Sequence, residues 1–409
     1  MVNDDKDLGE QFVRLTLAIN ELMPGYVDAY FGPEEWKVQA EQAGELPLSN
    51  LTDQTTRLAT DVSQADGLTP QRKDYLARHV TAMQMSLRLL DGEHVSLADE
   101  VEAIYDVRPT WKDEANFEEA QKLLDEALPA GDSLKERTLA WERSIEIPVE
   151  KVKELLPIIE KRLRTITKQK FNLPDEESFT IEFVSNQPWS AYNWYLGNFR
   201  SRIDINTDLP FRVNFLPALI AHEGYPGHHT DLVIKERLLV QSLKFYEFTV
   251  NLINAPSAVM AEGIATTALK TVMPEEELED WFREELLPAS GLSHIDPKRI
   301  LAIGKAGRKL NGIAGNAAFM LHDQGKSEEE ISQYLQEYGL STEQEAKHMI
   351  SFLSNPLYRS YIFTYHVGYD LFEELFRHGD RDHYVRRLTE EPVTPTQVRD
   401  WMENKNPLN

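Results

Sequence analysis

The sequence predicts a mainly α-helical protein with a small antiparallel or mixed sheet. Two observations carry this. Apolar residues recur at three- and four-residue steps over most of the chain, as one buried helix face requires. A single region, residues 179–205, instead alternates apolar and polar residues, as half-buried strands do. Gly and Pro punctuate the ends of the periodic stretches, as at Pro24-Gly25, Gly32-Pro33 and Pro47.

In chain order, Leu8 to Leu22 places Leu8, Phe12, Leu15 and Ile19 on one face. Leu76 to Leu90, Ser133 to Ser144 and Val149 to Ile166 follow the same period. The alternating region comes next. Phe179 to Val184 reads as one strand, and Tyr195 to Ile205 as another with Phe199, Ser201, Ile203 and Ile205 on one side. Helical periodicity then resumes over Arg299 to His322, Glu328 to Tyr338, Ser341 to Phe352 and Tyr358 to Phe376. The order is a helical region over 1–173, then a region over 174–409 holding the sheet and the later helices. Pro174 to Ser178 is the best boundary in what reads as one integrated fold.

Composition narrows the function. The 409 residues carry a formal net charge of −25, so phosphate neutralisation by Lys and Arg, and with it nucleic-acid binding, is not expected. There is no cysteine, which removes disulfides, thiolate metal sites and a cysteine nucleophile. Any zinc must rest on His, Asp or Glu. The acidic N-terminus lacks the apolar core of a leader peptide, and no stretch is long and apolar enough to span a bilayer. A cytoplasmic protein without a membrane partner is the expectation.

The chemistry concentrates in His222-Glu223-Gly224-Tyr225-Pro226-Gly227-His228-His229, which holds three of the eleven histidines. The helical zinc motif H-E-x-x-H sets two imidazoles at i and i+4. Here position i+4 from His222 is Pro226. On a straight helix, His228 would lie about 9 Å along the axis and His229 about 10.5 Å. Neither could then share an ion with His222. Pro226 cannot donate to the carbonyl of His222, and the two glycines loosen the same turn. A break at Tyr225-Pro226-Gly227 would bring either His228 or His229 back beside His222. Asn214 is the expected N-cap of this helix, with Pro217 in its first turn. Glu223 projects about 100° round from His222 and suits a general base acting on water. Glu262, the lone acid in the apolar helix that starts near Asn254-Ala255-Pro256, is the expected third ligand, since a buried carboxylate needs a partner or a metal. Asp231 and Thr266 are candidates to orient the imidazoles. The plain alternative is a polar helix end with hydrogen-bonded histidines.

His222 to His229 with Glu262-Gly263-x-Ala265 resembles the bacterial domain-of-unknown-function family 885, whose signature is H-E-x-x-P-G-H-H. Pro24-Gly-Tyr-Val-Asp-Ala-Tyr-Phe-Gly-Pro33 is similar to a segment of the same family. Thr230-Asp231 and Ile264 depart from that family's usual Leu-Gln and Trp. The resemblance implies a zincin-like metallopeptidase fold, similar in outline to carboxypeptidase Taq and thimet oligopeptidase. It implies one Zn2+ on His222, Glu262 and one of His228 or His229, with Glu223 as base. It further implies an oxyanion donor on the Tyr358 to Phe376 helix, Tyr365 first and His366 second. Tyr195 to Asn206 would be the edge strand receiving an extended peptide. Arg200 or Arg202 could hold a substrate carboxylate, which would favour a carboxypeptidase. The expected activity is thus hydrolysis of a peptide or small amide. The rivals are a non-catalytic peptide-binding or scaffold protein with a vestigial metal site, and a zinc hydrolase of a non-peptide amide or ester.

Overall fold

Residues 4–187 and 189–403 are described by the computed structural model. The tripeptide Met1 to Asn3, part of the N-terminus from which no leader was expected, lies outside them. The structure is mainly helical, with 65% of residues in helices and with small mixed and antiparallel sheets. Seven strands form three sheets among the described residues: β1 (Val27–Tyr30), β2 (Glu146–Ile147), β3 (Ser178–Val184), β4 (Ala191–Gly197), β5 (Arg200–Asn206), β6 (Phe211–Arg212) and β7 (Val250–Leu252). The main sheet has the order β3-β5-β4, parallel between β3 and β5 and antiparallel between β5 and β4. β1 pairs with β7, and β2 with β6, both antiparallel.

Several helices follow the periodic stretches closely: Asp4–Leu22, Pro70–Leu90, Leu134–Ser144, Val149–Lys170, Glu328–Gly339 and Glu343–Ser354. Three expectations need correction. Arg299 to His322 is two helices, Pro297–Arg308 and Ile313–His322, because the chain turns through Gly312 at φ 103. The last tyrosine-rich helix runs only over Ile362–Leu375, with turns before it. Tyr195 to Ile205 is a hairpin rather than one strand. Its turn sets Asn198 and Phe199 at φ 52 and 60. The buried carboxylate of Glu236, far along the chain, accepts both turn N–H groups and the Tyr195 hydroxyl. No local pattern reports that partner. In consequence β5 is the central strand, and β4 is the edge strand that faces the cavity described below.

The core explains where the motif sits. The motif helix Leu216–Glu223 buries Leu216, Leu219, Ile220 and Ala221 among residues of Val149–Lys170 and of β3 and β5. Burial of each large aliphatic side chain there contributes about 1.5–3 kcal/mol. Asn214 does not cap this helix. Phe215 takes the cap position in helical geometry, and the Asn214 Oδ1 is buried without a partner.

Two further helices complete the frame. The carboxylate helix Pro256–Val272 carries Glu262, and Ile362–Leu375 packs across it. Contact between them is backbone-close. A Cβ on Gly368 would lie 2.8 Å from the Val259 carbonyl oxygen, and one on Gly263 would meet the Phe372 ring at 2.9 Å. Only glycine allows this approach.

Candidate metal centre

The break expected inside the motif is present, and hydrogen bonds define it. Helix Leu216–Glu223 stops, and a second helix, His228–Lys235, begins after four intervening residues. The Gly224 and Tyr225 N–H groups both donate to the Ile220 carbonyl, and the Gly227 N–H donates to Ala221 at 2.8 Å. These bonds satisfy carbonyls that a helix end leaves free. They also fold the chain back on itself. A Cβ on Gly227 would lie 1.9 Å from the His222 carbonyl oxygen, so only glycine closes this loop. The Tyr225–Pro226 peptide is cis.

The refolded turn brings His228, not His229, to His222. Their rings are 4.7 Å apart between centroids and nearly perpendicular. Glu262 reaches both imidazoles: its Oε2 is 3.5 Å from His222 Nε2, and its Oε1 is 3.8 Å from His228 Nε2. One ligand atom from each of the three lies within 4.8 Å of the others. Donors bound to one zinc at 2.0–2.1 Å lie roughly 3–4 Å apart, so the set needs only slight closure. Two further observations fit a cation. Burial drives His222 down to about 4 and His228 well below its usual value, so both imidazoles are neutral, the form that binds metal. The Glu262 Oε2 is buried without a hydrogen-bond partner.

Helix His228–Lys235 turns His229 to the opposite side, which corrects its candidacy as a ligand. His229 is fully buried, with Nδ1 at 2.8 Å from Ser201 Oγ and Nε2 at 3.2 Å from Glu177 Oε2. The Tyr225 hydroxyl donates to the same Glu177 oxygen at 2.5 Å, and Arg164 pairs with that carboxylate at 2.8 Å. Burial would lift the Glu177 carboxyl, yet the hydrogen bonds from His229 and Tyr225 and the Arg164 charge leave it below the usual value.

His222, His228 and Glu262 line one wall of a cavity of about 640 Å³. Glu223 lines it as well. Burial, with the nearby Glu262 and Asp28 charges, pushes its carboxyl up to about 8. Its backbone carbonyl accepts the Asn193 side-chain amide of β4 at 2.6 Å, which ties the sheet edge to the motif. Tyr365 opens into the cavity and is 40% exposed there.

His366 does not join the site. One residue on from Tyr365, it turns away and packs against Phe363 and Gly315. Arg200 and Arg202 are not among the lining residues, and Arg202 pairs with Asp204 at 2.8 Å. Neither arginine therefore lines this cavity as the expected carboxylate-binding group. Asp231 bonds Lys235 rather than an imidazole, and the Thr266 hydroxyl bonds the Glu262 backbone carbonyl.

Two residues missed in the sequence belong to the site. The Tyr361 hydroxyl donates to Glu262 Oε1 at 2.9 Å and so holds the third ligand. Its signal was available, since Tyr361 lies four residues before Tyr365, one turn away on the helix expected over Tyr358 to Phe376. Asp28 on β1 also lines the cavity. It lies within the Pro24–Pro33 segment, but nothing local marks it as a site residue.

No family model matches the chain, and no curated protein matches it. Among solved structures, the fold is similar to a "putative lipoprotein" from Colwellia psychrerythraea, with TM-score 0.53 and 15% identity over 90% of this chain and 72% of that one. It is also similar to a "putative lipoprotein of unknown function" from Shewanella oneidensis, with TM-score 0.51 and 14% identity over 90% of this chain and 76% of that one. At such identities the likeness concerns the fold alone. The expected membership of family 885, and of the zincin-like metallopeptidases beside it, is corrected accordingly. Both neighbours carry the description "putative lipoprotein", and neither a family model nor a curated protein supports the motif-based assignment. Among the described residues, no helix is long and apolar enough to cross a membrane.

Proposed function

We propose that the protein is a divalent-metal-dependent hydrolase of peptide or small amide bonds, with Zn2+ as the expected ion. The observation that carries this reading is the convergence of His222, His228 and Glu262 on one cavity wall that also presents the Glu223 carboxyl. Three protein ligands suit a catalytic site, since structural zinc sites are usually closed by four. When bound, zinc supplies Lewis-acid polarisation and a water acidified to a pKa of about 7.

The chain's own residues supply the remainder. Glu223, ionised once a bound dication offsets its burial, would take a proton from the attacking water and return it to the leaving amine. The Tyr365 hydroxyl, opening into the same cavity, donates to the oxyanion as it forms. Tyr361 keeps Glu262 oriented. Edge strand β4, whose residues 191–194 line the cavity, offers backbone groups to an extended substrate. A zincin-like layout, with motif helix, small sheet and peptide along the sheet edge, belongs to this proposal.

The test pairs metal analysis with a Glu223→Gln variant. Purified protein should bind close to one equivalent of zinc and hydrolyse members of a short-peptide library. In E223Q, zinc affinity should persist while hydrolysis falls by about 100-fold or more. Unchanged hydrolysis in E223Q would remove Glu223 from the chemistry. A protein that takes up no divalent metal would end the reading altogether.

A further inference from the structure

Asp28 is not used by the proposed reaction, yet its placement in the cavity is built into the fold. Strand β1 pairs with β7 so that Val27 faces Leu252 and Ala29 faces Asn251. Two steps along β1 thus match one step along β7, and Asp28 is the extra residue of a β-bulge. Bulges re-aim a side chain out of the regular strand alternation. Here the bulged residue lines the cavity.

No hydrogen bond or ion pair engages the Asp28 carboxylate among the described residues. Lys235 is the sole Lys or Arg among the lining residues, and Asp231 already pairs with it at 2.7 Å. Burial lifts the Asp28 carboxyl to about 7. Asp28 is only half-buried and opens into the cavity, so an incoming cation can reach its unpaired carboxylate. Tyr358, Tyr361 and Tyr365 line the same cavity as Asp28. Their rings follow one another edge to face at 6.4 and 5.5 Å. Aromatic rings that share a cavity with an unpaired carboxylate favour an organic cation there.

We infer that Asp28, with Tyr358 and its neighbouring tyrosines, forms a subsite for a primary ammonium group of the substrate. The inference rests on the hydrolase reading for its charge balance. Of the other lining carboxylates, Asp231 pairs with Lys235 and Glu391 with Arg387 at 2.8 Å; with a divalent ion held, Glu262 and Glu223 would offset its two charges, which leaves Asp28 to face the substrate. The ammonium is either the free amino terminus of a short peptide or the end of an alkylamine side chain.

Calorimetric titration of the full-length protein, with and without one equivalent of zinc, tests this. The probes are L-alanine N-methylamide for an α-ammonium and n-butylammonium for a side chain. N-acetyl-L-alanine N-methylamide and 1-butanol are their neutral counterparts. At least one ammonium probe should bind about tenfold or more tightly than its neutral counterpart. The one that does so identifies the source. Asp28→Asn should abolish the preference and Asp28→Glu should restore it, while both still take up one equivalent of zinc. Equal binding of both charged and neutral pairs by wild type would overturn the inference. So would a full preference retained in D28N. Failure of the hydrolase reading is a separate result, namely absent zinc uptake or absent hydrolysis with the amine preference intact.

Discussion

His228 and His229 are adjacent in sequence and face different worlds. His228 looks into the cavity, where its partners are His222 and Glu262 and the Glu262 Oε2 has no hydrogen bond. His229 looks into the core, where both ring nitrogens are matched by Ser201 and Glu177. The contrast separates two uses of a buried imidazole. A fully satisfied one contributes to the fold, and an under-satisfied group among converging donors is prepared for a ligand. The core side also serves the cavity side. Glu177 binds Tyr225 within the turn and His229 just after it, so the network fixes the backbone that presents His228.

The hardest way to break the comparison is Gly227→Ala. Its Cβ would overlap the His222 carbonyl, so both faces should be lost together. Zinc binding should disappear, and denaturant unfolding should show a loss above about 4 kcal/mol. Next, His228→Ala and His229→Ala should diverge. H228A should lose about 100-fold or more in zinc affinity by competition with a chelator, with little change in metal-free Tm. H229A should cost about 1–3 kcal/mol of metal-free stability and weaken zinc binding far less. Equal losses of zinc affinity in the two variants would erase the distinction. A smaller effect is expected for Tyr361→Phe, which keeps the ring and removes the bond to Glu262. Zinc affinity should fall about tenfold while stability stays near wild type.

Acid gives the smallest effect. Desolvation holds His229 below its ordinary pKa of 6.5 in the fold, although Glu177 opposes this. As pH falls below 6.5, the unfolded chain binds the proton and the folded chain does not. Stability therefore rises with pH across this window. Glu177, held below its ordinary value, adds loss in the same direction at lower pH. Metal-free H229Q should decline less steeply between about pH 6.5 and 5 than wild type, measured as Tm against pH.

Much of the helical frame was legible in the sequence, because a buried helix face imposes its period on the residues that fill it. Helices Asp4–Leu22 and Val149–Lys170 follow that period. The hairpin of β4 and β5 was not legible, since the Glu236 carboxylate that closes its turn comes from elsewhere in the chain. Strand order was hidden for the same reason, and it decided that β4 rather than β5 faces the cavity.

At the site, the residue spacing already required that the histidines of the motif meet through a break, because helix rise keeps residues six or seven apart out of reach. It also singled out Glu262, because a lone acid in an apolar helix needs a partner. The selection of His228 over His229 came from packing between distant elements. That choice depends on the axis of the new helix after Gly227 and on Glu177 and Ser201, which sit on other elements and claim one of the two rings. Asp28 was decided in the same way: its direction is set by a bulge against β7, more than two hundred residues away in the chain.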